Sequence, residues 1–337
     1  MSRKPSVLCL GSHILDIINA PLRQYLKAGE GVITSIGIHP GGNAFNVAAD
    51  LAQLCGASVT IGCVGAVGDD HPASLFINEF SRHGITPYLQ TIPRKRTGAN
   101  IILQVKNEER RFHLDPGANP FLGVDHVLST IDRIRPDFLY IGELSILGSC
   151  RQALPDISSR VHRYGGTVIL DLMISESDEP DYLFEAAPSI DMLHCNEYEA
   201  SSITGHANPT DAVNVFYQKG FHFPIVSNGK NGFVCIFKDT LYTVPAFSVD
   251  EIDATGAGDA FVAGFLSRIL KLTGSTLHDK ISDNDILIDT LLYSSASGGC
   301  AVTMPGCTDA VTRENVDRLF SLYVTKTKDR ITSTPLH

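Results

Sequence analysis

Short apolar runs recur along this chain with helix-length stretches between them: 59–64, 138–141, Thr167–Asp171, 192–195 and 224–226. Runs that are short and apolar at nearly every position suit strands buried on both faces, and the intervening lengths suit crossover helices. The pattern predicts an α/β chain on a mainly parallel sheet with helices on both sides. Ligands of such sheets bind beyond the carboxyl ends of the strands, so the residues that follow these runs are the ones to inspect.

The segment 249–259 runs into a helical pattern made by Phe261, Val262, Phe265, Leu266, Ile269 and Leu270. Thr255, Gly256, Ala257 and Gly258 carry little side-chain bulk, so successive backbone N–H groups can approach an anion, and the helix directs its positive end at the same point. Asp259 falls in the first turn. A carboxylate there can take a proton from a hydroxyl while the amides stabilise charge on a moving phosphoryl group. The plainer alternative is an acidic residue that complements the helix dipole. The absence of a Gly-Lys-Ser/Thr ending excludes a Walker A loop, and an aspartate beside the glycines fits a dinucleotide fingerprint poorly. Gly264, inside the helical pattern at a cost of about 1 kcal/mol relative to alanine, points to close packing.

The stretch 253–261, followed by Gly264, resembles the C-terminal signature of the ribokinase-like sugar kinases, the PfkB carbohydrate kinase family. That resemblance implies that Asp259 is the catalytic base, that Gly256, Ala257 and Gly258 form the anion hole, and that Asp253 helps bind an activating monovalent cation, usually potassium. The stretch 40–48 resembles the N-terminal signature, which assigns Gly41, Gly42, Asn43 and Asn46 to the acceptor hydroxyls. Without the family, a Gly-Gly turn delivers two asparagines to a helix start with the apolar stripe Val47, Leu51 and Leu54, and either asparagine can serve as a cap. Asp16 follows the strand at 7–10 where members place an aspartate bonded to sugar hydroxyls, and a carboxylate can accept from two of them. His13 departs from the small or amide residues often found nearby and leaves the acceptor's shape open.

Two further stretches extend the resemblance. Asn196 and Glu199 match an Asn-x-x-Glu motif that sits around magnesium and phosphate, largely through waters, in keeping with the oxygen ligands and retained water of a hard divalent ion. The same pair also reads as a helix-capping pair. Ser227, Gly229 and Gly232 resemble a nucleotide loop of the form Thr-x-Gly-x-x-Gly with the hydroxyl kept, and also a plain β-turn. The run 294–306 is rich in small residues, suited to an adenine ring or to close helix packing. Ile101, Leu103 and Val105 alternate before a polar turn at 107–109, which reads as a hairpin. The resemblance makes this hairpin part of a lid; the alternative is an edge extension of the main sheet.

The implied fold is a ribokinase-like three-layer α/β/α sandwich with a mainly parallel central sheet and a small β-sheet lid. A single domain over 1–337 is expected, with the lid drawn from 16–38 and 97–114. The implied activity is ATP-dependent phosphorylation of a hydroxyl on a sugar or sugar-like molecule, with Mg2+ and K+, in a homodimer formed through the lid. One rival is a nucleoside kinase, with Phe45, Phe112 or Phe121 forming a slot for the base. Another is an inactive sugar- or nucleotide-binding regulator, against which the intact Asp259 and its cradle argue.

A chain of 337 residues, 43% hydrophobic, can bury a large core and lies near the upper size of one domain. Its formal charge of −10 disfavours an extended nucleic-acid surface. Arg94, Lys95 and Arg96, with Lys106, Arg110 and Arg111, offer phosphate steering or a solvated loop and hairpin turn. The chain has no bilayer-length apolar span and no signal-peptide core, so a cytoplasmic protein without membrane contact is expected. Eight cysteines without a Cys-x-x-Cys, several inside apolar runs as Cys9 and Cys235 are, suit reduced core thiols. No His-Glu-x-x-His spacing supports a catalytic transition metal.

Overall fold

The computed structural model describes residues 3–22, 24–105, 111–173, 181–304 and 306–336. Lys106, Arg110, the turn 107–109 and Pro305 lie outside the described residues. The strands in chain order are β1 Ser6–Leu10, β2 Ile14–Leu22, β3 Ile36–Gly41, β4 Thr60–Gly68, β5 Thr86–Ile92, β6 Gly98–Val105 and β7 Arg111–Asp115. They continue with β8 Phe138–Gly142, β9 Thr167–Asp171, β10 Met192–Asn196, β11 Pro224–Ser227, β12 Phe233–Phe237, β13 Thr240–Val244 and β14 Thr332–Pro335.

Ten of these form one mixed sheet in the order β14-β13-β12-β11-β10-β9-β8-β1-β4-β5. Pairing is parallel from β11 through β5 and antiparallel from β11 to β14. Alternate residues of each buried strand serve opposite cores, because strand side chains point to opposite faces. Val7, Cys9, Phe138 and Tyr140 enter one cluster with Val47, Leu51, Phe265 and Leu291. Leu8, Leu10, Leu139 and Ile141 enter the other with Val127, Ile131, Ile157 and Val213. The result is the three-layer α/β/α sandwich of the ribokinase-like fold.

The buried strands coincide with the apolar runs to within a few residues, but β5 and β14 carry no such run. Both are edge strands, exposed enough to need no apolar alternation, and the edge position lets β5 hold Pro87 without a second ladder to satisfy. The hairpin of β6 and β7 does not extend the central sheet. It joins β2 and β3 in a separate four-stranded sheet, β3-β2-β6-β7, which takes in 16–22, 36–38, 98–105 and 111–114 of the expected lid segments, while 24–35 run outside the strands. All eight cysteines are unpaired thiols, seven of them buried. Among the described residues, no helix is long and apolar enough to cross a membrane, and no His/Cys/Asp/Glu group has a metal-binding arrangement.

Candidate active site

The parallel strands deliver their last residues to one edge. Gly142 is registered opposite Asp171, and Asn196 opposite Ser227, so the chain after β8, β9, β10 and β11 opens onto a common surface. The helix Ala257–Ile269 begins there, with Gly256 at φ 77°, a left-handed conformation that an L side chain adopts only with strain. A Cβ on Gly256 would lie 2.6 Å from the Cys307 carbonyl oxygen, and one on Gly258 would lie 3.3 Å from His194 Cε1. Glycine is required at 256, while a side chain at 258 would press on the His194 ring.

Asp259 follows in the first turn, 7% exposed. Its Oδ2 accepts from Asn46 Nδ2 at 2.8 Å, and its Oδ1 is buried with no hydrogen-bond partner. Burial raises this carboxyl well above the usual carboxylate range and Asp171 adds to the rise; the Asn46 bond opposes it, while Glu143 and Asp16 add smaller increments. A residue that merely complemented a helix dipole would not require an asparagine from the other end of the chain. That asparagine is not a cap either: the helix Asn43–Cys55 is opened by Gly42 at φ 91°, with no side-chain cap.

Gly41 and Gly42 are needed for space. A side chain on Gly41 would run into the Asp16 carboxylate, and one on Gly42 into the Ser12 backbone. Asp16 lies in β2, 7% exposed, and its Oδ1 accepts from Asn100 Nδ2 at 3.1 Å. The Asn43 N–H donates to Glu143 Oε2 at 3.2 Å. Glu143, just beyond β8, is a buried residue at φ 50°; burial pushes its carboxyl up to about 8, with the Asn43 N–H opposing and Asp16 and Asp171 reinforcing. Sequence reading left Glu143 unassigned, although a Gly-Glu pair directly after an apolar strand is the available signal. His13, which left the acceptor's shape open in the sequence, lies in the core. Its ring is fully buried against Phe76, Phe80 and Cys63, and burial lowers it to about 4, so the imidazole is neutral.

On the other side of the cradle lies a cavity of about 700 Å³, lined among others by Ser227, Gly229, Gly232, Ala257, Gly258 and Gly298. Ser227 Oγ donates to the Cys195 carbonyl at 3.2 Å, tying the β11 end to β10, and Gly229 and Gly232 take positive φ values of 48° and 94°. The small residues of 294–301 belong to a helix, Asn284–Ala301, whose Gly298 and Gly299 line the cavity together with Phe247 and Val249. Asn196 and Glu199 do not line this cavity. They form the capping box in full: Glu199 N–H donates to Asn196 Oδ1 at 2.9 Å and Asn196 N–H to Glu199 Oε2 at 2.9 Å. Asp253 accepts from Thr255 N at 2.9 Å and Thr255 Oγ1 at 2.6 Å through one oxygen, and from Gly306 N at 3.5 Å through the other. It ties the turn before the cradle to the loop beyond residue 305.

The alternatives left open for the charges and aromatics are narrowed. Lys95 stacks on Phe121 and Arg111 on Tyr25, so these cations are held by lid and loop aromatics; the basic residues that line the cavity are Lys230 and Arg330. Phe45 packs edge-on with Phe76 in the core and is no base slot. Sequence reading also passed over a buried chain beneath the cradle: Tyr140 Oη donates to Asp171 Oδ2 at 3.0 Å, and His194 Nδ1 shares a 2.6 Å hydrogen bond with Asp171 Oδ1 while its ring stacks on Phe261. His194 sits inside an apolar run, where it reads as core.

A model of the pfkB family carbohydrate kinases matches residues 4–314. Aminoimidazole riboside kinase of Salmonella typhimurium is 24% identical over 321 residues, 92% of this chain and 93% of that one. The structure of fructokinase with bound ATP from Xylella fastidiosa superposes with a TM-score of 0.80 at 21% identity, covering 96% of this chain and 100% of the other. An Escherichia coli structure in complex with ATP and Mg2+ gives 0.76 at 20% identity, over 94% and 99% of the two chains.

Proposed function

This chain belongs to the pfkB family of carbohydrate kinases, and on that premise we propose that it transfers the γ-phosphoryl group of ATP to a hydroxyl of a sugar or sugar-like small molecule. The observation that carries the proposal is Asp259, held by Asn46 at the start of the glycine cradle, with Asp171 and, more weakly, Glu143 and Asp16 acting on its buried carboxyl. Because burial and Asp171 raise the Asp259 carboxyl, its carboxylate is a stronger base than an exposed one, which suits proton abstraction from a weakly acidic hydroxyl.

The cavity beside the cradle has the volume and the mixture of apolar wall and backbone amide that a nucleotide needs. Ser227, Gly229 and Gly232 would border the nucleotide, and Gly256, Ala257 and Gly258 would offer amides to the transferring phosphoryl group. Magnesium, when bound, neutralises phosphate charge; Glu199, reached through water, is the carboxylate for it, with Asn196 holding that carboxylate in place. Asp253 would serve a potassium ion, since its carboxylate already joins the turn before the cradle to the 306 loop. On the acceptor side, Asp16, Gly41, Gly42, Asn43 and Asn46 would orient hydroxyls, and the four-stranded sheet would exclude water that could otherwise hydrolyse ATP.

A riboside acceptor is the second reading. Asp16 pairs with Asn100 and Asn100 with Leu114, so Leu114, and Phe112 two residues before it, share the Asp16 face of the lid. They are 39% and 54% exposed, an apolar surface suited to a planar base. The opposite face carries Ile38 and Ile101 at 55% and 45% exposure, through which a homodimer would form.

The test is a panel of pentoses, hexoses, polyols, sugar acids and nucleosides, read as acceptor-dependent ADP release, with Asp259→Asn beside the wild type. Asp259→Asn should keep ATP affinity by calorimetry and lose most turnover. Wild-type turnover in that variant would remove Asp259 as the base, and ATP binding without turnover of any acceptor would favour a regulator.

A further inference from the structure

The helix Asn43–Cys55 carries two buried polar side chains one turn apart. Asn46, 5% exposed, donates through Nδ2 to Asp259, while its Oδ1 has no hydrogen-bond partner. Asp50, fully buried, has no partner on either carboxylate oxygen. Residues four apart on a helix are neighbours, and helical side chains lean toward the N-terminus, so the Asp50 carboxyl overlies the turn that holds Asn46. Two acceptors in a dry interior with no donor between them are unfavourable, and one proton on the carboxyl satisfies both.

The surroundings favour that proton. The charges that act on Asp50 are Asp259, on the helix packed against this one, and Asp309, on the segment that follows residue 305; both raise its carboxyl, and burial raises it more. The Cys307 thiol, on the same segment, is itself held up by burial and by Asp16, Asp259, Asp253 and Asp50, so it too stays neutral.

We propose that Asp50 is a neutral carboxylic acid whose O–H donates to Asn46 Oδ1, fixing the Asn46 amide with its NH2 toward Asp259. Rotated by half a turn, that amide would turn its oxygen against the catalytic carboxylate. Asp50 touches neither nucleotide nor acceptor; it is a positioning residue. The kinetic part of this inference rests on the kinase reading, with Asp259 as base, whereas the protonation state does not.

Infrared difference spectroscopy between the wild type and Asp50→Asn at neutral pH should show the C=O stretch of a protonated carboxyl, and Asn46→Ala should shift that band. A missing band, or one indifferent to Asn46, overturns the inference even if the enzyme is an active kinase; a shifted band upholds it even if no acceptor is turned over. In turnover, Asp50→Ala should lower kcat about tenfold, the loss of one aligning hydrogen bond, with ATP affinity unchanged. Asp50→Asn keeps a donor toward Asn46 and should stay within about threefold of wild type on the same scale. Wild-type kcat in Asp50→Ala, or an equal loss in both variants, overturns the positioning role. Should Asp50→Ala not fold, the infrared band and the Asn variant decide.

Discussion

Replacing Asn46 by alanine removes the side-chain donor bonded to Asp259 at 2.8 Å while leaving the cavity beside the cradle intact, because Asn46 does not line it. A hydrogen bond to a charged group contributes about 1.5–3 kcal/mol, equivalent to roughly 10- to 150-fold in rate if the bond is needed by the ionised base. The sign follows from the environment. The bond favours the carboxylate, whereas burial and Asp171 favour the acid. Without Asn46 the Asp259 carboxyl therefore rises further, a smaller fraction is ionised at neutral pH, and the acid limb of kcat/KM moves to higher pH. The deficit should be largest on the acid side and narrow as pH rises through the limb. Acceptor-dependent ADP release measured across that range, with ATP affinity by calorimetry as the control, gives the answer. A loss of the same size at every pH, with the limb unmoved, would refute the claim that Asn46 tunes the base.

Gly256→Ala places a side chain at φ 77° and 2.6 Å from the Cys307 carbonyl oxygen. Left-handed strain of about 1–2 kcal/mol should appear in thermal denaturation, and displacement of the cradle amides should lower kcat at least about tenfold; unchanged turnover would count against their role. If Asp253 serves a monovalent cation, turnover in potassium should exceed that in a large organic cation and Asp253→Ala should abolish the difference. Equal rates in the two salts would remove the cation.

Much of this arrangement is legible in the residue order because the relevant physics is local. Apolar runs such as Thr167–Asp171 announce buried strands, and a glycine cluster followed by a helical period announces an anion cradle with Asp259 in its first turn. The capping box of Asn196 and Glu199 is equally local, spanning three residues, and it forms as the pattern reads.

Other assignments depend on contacts between distant segments. His13 carries no mark in the sequence to say that three aromatic and thiol neighbours enclose it, and Asn46 none to say that its amide reaches a carboxylate 213 residues away. Lys230 and Arg330 line the cavity while the conspicuous Arg94–Arg96 run does not, because sheet order, not charge density along the chain, decides which loops share an edge. Residue order alone fixed the α/β layering, the strand periods and the cradle, since hydrophobic period and glycine conformation act within a few residues. Tertiary structure alone decided which buried polar groups meet: the strand order brings Glu143 and Asp171 to the edge where Asp259 sits, and there burial and neighbouring carboxylates push the Glu143 and Asp259 carboxyls up.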